Sequence, residues 1–115
     1  MNNEQQSFEL EQQADKTFVN MIRLLAEAVD KRCFVHGRLR FIDTPLLNKS
    51  LHLVMIYNDI KSSHQLAKRL DISFNTLNKM MNRSDSETMN RKGIDKVIEF
   101  MNQTADEYEK KLKSL

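Results

Sequence analysis

The stretch Ser63-His64-Gln65-Leu66-Ala67-Lys68-Arg69-Leu70-Asp71-Ile72-Ser73-Phe74-Asn75-Thr76-Leu77-Asn78-Lys79-Met80-Met81-Asn82 decides the architecture. Ser62 or Ser63 precedes HQLAKRL and Ser73 precedes FNTLNKMMN. A serine hydroxyl at a helix start accepts a hydrogen bond from a backbone N–H that has no partner within the helix. The spacing therefore predicts two short helices joined by a tight turn at Asp71. Leu66, Leu70, Ile72, Leu77 and Met80 or Met81 fall on the sides that would share a core. Ala67 puts a small side chain where two crossing helices must approach closely.

This stretch resembles the helix-turn-helix of Cro-like and lambda-repressor-like phage regulators. Their motif pairs a first helix of form x-x-L-A-x-x-L with a turn and a second helix bearing a central apolar residue, here Leu66-Ala67, Leu70 and Leu77. The resemblance covers residues 63–82. One position departs from the pattern, since the family usually has glycine where Asp71 stands; that residue adopts the left-handed region, which aspartate tolerates better than most side chains.

The resemblance implies that the second helix enters the major groove and presents its amino-terminal exposed residues to base edges. Carried over by position, these are Ser73, Phe74, Asn75, Asn78 and Lys79, with Leu77 on the buried side. Asn75 or Asn78 could present its amide to adenine, Lys79 could donate to guanine, and Phe74 could touch a thymine methyl. Core packing is the alternative for Phe74. Ser63, His64 and Gln65, at the start of the first helix, would meet phosphate, as helix amino termini do. Lys61, Lys68, Arg69 and Arg83 could extend the electrostatic footprint.

Charge is distributed in a way that suits such a partner. The formal net charge of +2 conceals an acidic segment at 1–30, with six acidic and two basic side chains, and a basic one at 31–82, with nine basic and three acidic. Residues 83–115 carry seven of each. A basic middle points to a polyanion, although surplus lysines also serve simply to solvate a surface.

Outside the motif, helical periodicity dominates. From Phe8 to Arg32, Ala14, Phe18, Ile22, Leu25 and Val29 recur at spacings of four and three, widened by Met21, Leu24 and Ala28, which predicts a long amphipathic helix. The Gln/Glu/Asn-rich first dozen residues are expected to fray. CFVHGRLRFID breaks this period; Leu39 and Phe41 alternate with Arg38 and Arg40, as in a short strand or a loop. Arg38 and Arg40 could touch a nucleic-acid backbone or minor groove, or merely protect a strand edge. Thr44 as cap and Pro45 at the first helical position predict a helix over Leu46 to Ile60.

The last helix is expected from Ile94 to Lys113, with residues 88–92 left open because Gly93 weakens a helix. Its apolar residues Ile94, Ile98, Met101, Ala105, Tyr108, Leu112 and Leu115 are spaced 4, 3, 4, 3, 4, 3, a heptad seam. A second copy of the chain could cover it, through Met101, Ala105, Tyr108 and Leu112. The first helix could also cover it, since Phe18, Ile22, Leu25 and Val29 form a matching row.

Other function classes find little support. One cysteine, Cys33, cannot make an internal disulfide, and Cys33-x-x-His36 lacks partners for a zinc site, with His52 and His64 in separate predicted helices. Two glycines leave no phosphate-cradling loop, and no Cys/His pair has an orienting third group, so no enzyme activity and no cofactor are expected. The amino terminus is polar, and no apolar run approaches the roughly 20 residues of a bilayer-spanning helix, so a cytoplasmic protein without membrane contact is expected.

The sequence thus predicts an all-α single domain over residues 1–115: an amino-terminal helix and connecting segment (1–43), a helix-turn-helix core (44–87) and a carboxy-terminal dimerisation helix (88–115). The expected function is sequence-specific binding of double-stranded DNA by a transcriptional regulator, as a homodimer whose recognition helices sit about 34 Å apart. The alternative is a helical protein-interaction module, an antirepressor or inhibitor using the same scaffold.

Overall fold

The computed structural model describes residues 2–39, 42–82 and 91–115. Five helices, α1 (Asn3–Cys33), α2 (Thr44–Tyr57), α3 (Ser63–Leu70), α4 (Phe74–Asn82) and α5 (Arg91–Lys113), account for most of them, with a two-residue hairpin of β1 (Phe34–Val35) and β2 (Arg38–Leu39) after α1. Arg40, Phe41 and Arg83, and the question of whether residues 88–90 join the last helix, fall outside the described residues.

Helix α1 begins five residues earlier than its periodicity predicts, and the segment expected to fray is helical from Asn3. The Asn2 side chain accepts a hydrogen bond from the Gln5 N–H at 2.9 Å, and Glu4 in the first turn complements the positive end of the helix dipole. The helix closes into the hairpin, where Phe34 pairs with Leu39 and Val35 with Arg38. Its two turn residues, His36 (φ 53°) and Gly37 (φ 76°), both have positive φ, the signature of the tight turn whose twist matches flanking antiparallel strands.

Helix α2 is capped by Asp43 rather than Thr44. The Asp43 carboxylate accepts from the Leu46 N–H at 3.0 Å through one oxygen and from Arg32 at 2.7 Å through the other, so a carboxylate already fixed by α1 supplies the cap and Thr44 becomes the first helical residue. The helix stops at Tyr57, three residues short of the expected end. There the Asn58 amide donates to the Val54 carbonyl at 2.8 Å and to Thr104 Oγ1 at 2.9 Å, and Asp59 turns left-handed at φ 55°.

The core is built on an antiparallel pair, α1 and α5. Phe18, Val19, Ile22, Ala26, Val29 and Cys33 of α1 are buried with Ile94, Val97, Phe100, Met101 and Ala105 of α5. Their direction follows from side-chain pairs: Arg23 bonds to Asp106 at 2.8 Å, whereas Lys16 and Val19 lie beside Leu112 and Lys113. Three rings lock α2 onto the pair. Phe18 stacks on Tyr57 with centroids 3.6 Å apart, Tyr108 meets both edge-on, and its hydroxyl donates to the Tyr57 carbonyl at 2.8 Å. Such ring pairs are worth about 0.5–1.5 kcal/mol each beyond their buried area.

This arrangement corrects the expected dimer contact. Met101 and Ala105 are fully buried within one chain, and Tyr108 and Leu112 are half-buried against the same core. The heptad seam of α5 is therefore consumed by α1 and α2, with only Leu115 left largely exposed. Gly93 lies, buried, inside the first turn of α5.

Candidate nucleic-acid interface

Helix α3 starts where Ser62 accepts from the Gln65 N–H at 3.2 Å, while the Gln65 side chain accepts from the N–H of Lys61, the residue before Ser62, at 2.9 Å, two bonds that fix the entry of the chain. Leu66, Ala67 and Leu70 face inward, and Lys68 and Arg69 face solvent. The helix ends on Asp71 at φ 57°, ψ 48°. From the turn, the Ile72 N–H donates to the Ala67 carbonyl at 3.1 Å and the Asp71 N–H to the Lys68 carbonyl at 3.2 Å, the pair of bonds that closes a helix through a left-handed residue.

Asp71 thus holds the conformation that glycine adopts most easily. Lys96 of α5 compensates: its ammonium donates to the Asp71 carbonyl at 2.7 Å and lies 3.5 Å from the Asp71 carboxylate. Nothing in the local sequence pattern marks Lys96, which is 25 positions away.

Helix α4 opens on Ser73, whose hydroxyl accepts from the Thr76 N–H at 3.1 Å and donates to Thr76 Oγ1 at 2.8 Å. Leu77, Met80 and Met81 are buried, and Asn48 of α2 donates to the Met81 carbonyl at 3.3 Å, seating the helix against α2. At 100° per residue, Asn75, Asn78, Lys79 and Asn82 share the side opposite Leu77. Asn75, Asn78 and Asn82 are exposed and Lys79 is half-buried. Asn82 donates to the Asn78 side-chain oxygen at 2.6 Å, orienting that amide. Asn82 joins the candidate residues of this face, and its spacing of four from Asn78 could have revealed it.

The amino termini of α3 and α4 come together through their rings. His64 stacks on Phe74 with centroids 3.9 Å apart and planes 13° from parallel. Phe74 is 38% exposed and stands outside the core cluster, so the alternative of core packing does not hold. His64, Gln65, Ser73, Phe74, Asn75 and Asn78 are thereby gathered on exposed surface of one helical hairpin, with Ser63 half-buried at its edge.

The expected footprint is otherwise redistributed. Ser73 is committed to its cap. Lys61 pairs with Asp59 at 2.6 Å, and Arg69 lies over the Phe100 ring, 5.4 Å from its centroid. Lys92 and Lys96 line a shallow cleft with Ile72, Ser73 and Thr76, which adds two lysines beside the start of α4. Arg38 belongs to the hairpin following α1, a different part of the fold.

Compared with known proteins, the chain matches no protein-family model, no curated protein and no solved structure. Its own residues carry the functional argument. Cys33 is buried and burial pushes its thiol pKa up, opposed by a backbone hydrogen bond from Asp43, whereas His36 is exposed in the hairpin turn. Among the described residues no group of three or more His, Cys, Asp or Glu side chains is placed to hold a metal ion, and no described helix is long and apolar enough to cross a membrane.

Proposed function

We propose that this chain is a sequence-specific, double-stranded DNA-binding transcriptional regulator that works in the cytoplasm as a homodimer and reads the major groove with α4. The observation that carries this reading is the α3–α4 hairpin. Its inner residues Leu66, Ala67, Leu70 and Leu77 are buried, its turn is left-handed at Asp71, and its outer α4 face is amide-rich and exposed. A face carrying three asparagines and a lysine makes poor packing surface, but it has the donors and acceptors that base edges require.

In this reading α4 lies in the groove. Asn75 or Asn78 pairs its amide with adenine, Lys79 donates to guanine, and Phe74, braced by His64, abuts a thymine methyl. Asn82 fixes the Asn78 amide by holding its oxygen, which leaves the amide N–H groups to point outward. Ser63, His64 and Gln65 face phosphate, with Lys68 supplying charge on α3 and Lys92 beside the start of α4.

The test is selection of binding sites from random duplex DNA, followed by affinity measurements at two salt concentrations. A regulator enriches one motif, and its affinity falls steeply with salt because each neutralised phosphate releases counterions. Failure to enrich any sequence, together with salt-independent capture of a protein partner, would favour the interaction-module reading instead.

A further inference from the structure

We infer that the outward face of α1 is the contact between two copies of this chain, packed antiparallel. The inference supplies the contact for the homodimer proposed above and so rests on that part of the reading, whereas the DNA-binding part concerns a different surface and is tested separately. Helix α1 is 31 residues long, yet its buried residues begin only at Phe18. Besides its core-facing row it carries a second one. Leu10, Ala14, Thr17, Met21, Leu24 and Ala28 are spaced 4, 3, 4, 3, 4 and lie about 120° around the helix from Ile22. Leu10 is 65% exposed, Leu24 67% and Met21 37%; Ala14 and Thr17 are exposed and Ala28 half-buried. The Thr17 hydroxyl donates to the Gln13 carbonyl at 3.0 Å, so the row carries no polar group that needs water.

Charge and side-chain volume both select a second copy and its direction. Residues 3–15 of α1 hold Glu4, Glu9, Glu11 and Asp15 and no cation. At the other end Lys31 and Arg32 flank the apolar row, whereas Asp30 lies on the opposite side of the helix, and Arg38 follows, exposed, on the hairpin. A parallel pair would stack the acidic ends on one another. An antiparallel pair centred near residue 19 sets Lys31 of the second copy beside residue 7, within about one turn of Glu4, Glu9 and Glu11, with Arg32, which also holds Asp43, next to it. The same alignment sets Leu10 against Ala28, Ala14 against Leu24 and Thr17 against Met21. Each layer then joins a larger side chain to a smaller one, the pattern that fills a helix interface evenly.

Sedimentation equilibrium of the full chain, without DNA, tests the contact. The expected result is a dimer at tens of micromolar for wild type and a dissociation constant at least tenfold weaker for Leu24→Glu, with the thermal melt unchanged at dilutions where wild type is monomeric, because Leu24 touches solvent in the single chain. A wild-type monomer, or a Leu24→Glu dimer as tight as wild type, overturns the inference. Direction is read by oxidative cross-linking, with the wild-type chain as background because Cys33 is buried. Leu10→Cys should cross-link to Ala28→Cys in a mixture of the two; cross-linking of Leu10→Cys to itself alone would overturn the antiparallel arrangement.

Discussion

The α3–α4 hairpin and the α1–α5 pair both consist of amphipathic helices, but they owe their partners to different kinds of information. In the hairpin the partner is fixed locally: a serine cap, a left-handed residue and a second serine cap occupy a dozen residues and leave α3 little choice but to meet α4. In α1–α5 the two apolar rows are separated by about sixty residues of chain, and the spacing of each row states only that one side of the helix must be covered. The teaching of this contrast is that a heptad seam specifies a buried side without naming what buries it. Tyr108 shows the point, since its hydroxyl bond to the Tyr57 carbonyl and its contact with Phe18 close the seam inside the chain.

The largest expected effect breaks the α1–α5 side of this comparison. Met101→Ala should cost about 2–5 kcal/mol in urea unfolding, because it leaves a cavity among fully buried side chains. A variant that kept wild-type stability and merely became monomeric would return the α5 seam to a dimer contact. Ala67→Leu probes the hairpin in the same manner. Overfilling the close contact at Ala67, which is almost wholly buried, should lower stability by about 1–3 kcal/mol, read as a drop in melting temperature.

Substitutions on the outer side of α4 should separate stability from recognition. Asn75→Ala and Lys79→Ala are each expected to lose about 1–3 kcal/mol of discrimination between a selected duplex and a scrambled one, while thermal unfolding moves little. Equal affinity for both duplexes in wild type would remove α4 from the recognition role.

A smaller effect sharpens the account of the turn. Asp71→Gly should be neutral or stabilising by up to about 1 kcal/mol, since glycine occupies the left-handed region without steric cost, and Asp71→Val should destabilise. Both are measured by thermal melting. Smallest is a pH effect from Cys33, whose thiol is held above its ordinary value of 9.0 by burial. The folded chain retains a proton that the unfolded chain releases, so this contribution is intact at neutral pH and is lost as pH rises through the folded value. Comparison with Cys33→Ala by urea unfolding at pH 7 and pH 10 measures it.

Much of the fold was legible in the sequence because the helices announce themselves by periodicity and by their caps. Ser62 and Ser73 start α3 and α4 where the serines stand, and the hairpin's inner residues are those the spacing predicts. The errors arose where a distant residue competed with a local one. Asp43 displaced Thr44 as a cap because Arg32 of α1 holds its carboxylate, and Asn58 ended α2 early because Thr104 of α5 takes its amide. The candidate site divides in the same way. The exposed placement of His64, Asn75 and Asn78 was readable from the spacing of the hairpin, while the brace of Lys96 on Asp71 spans two elements and leaves no trace in local spacing. The stacking of His64 on Phe74 likewise depends on how α3 and α4 meet.

The central claim, that the outer side of α4 contacts DNA, is tested most directly by titrating the nitrogen-15-labelled chain with its selected duplex and following backbone and side-chain amide shifts. The account predicts the largest changes at Asn75, Asn78 and Lys79, with changes at His64 and Gln65 where α3 approaches phosphate. Changes confined to α1 or the hairpin of β1 and β2, with α4 unmoved, would contradict it.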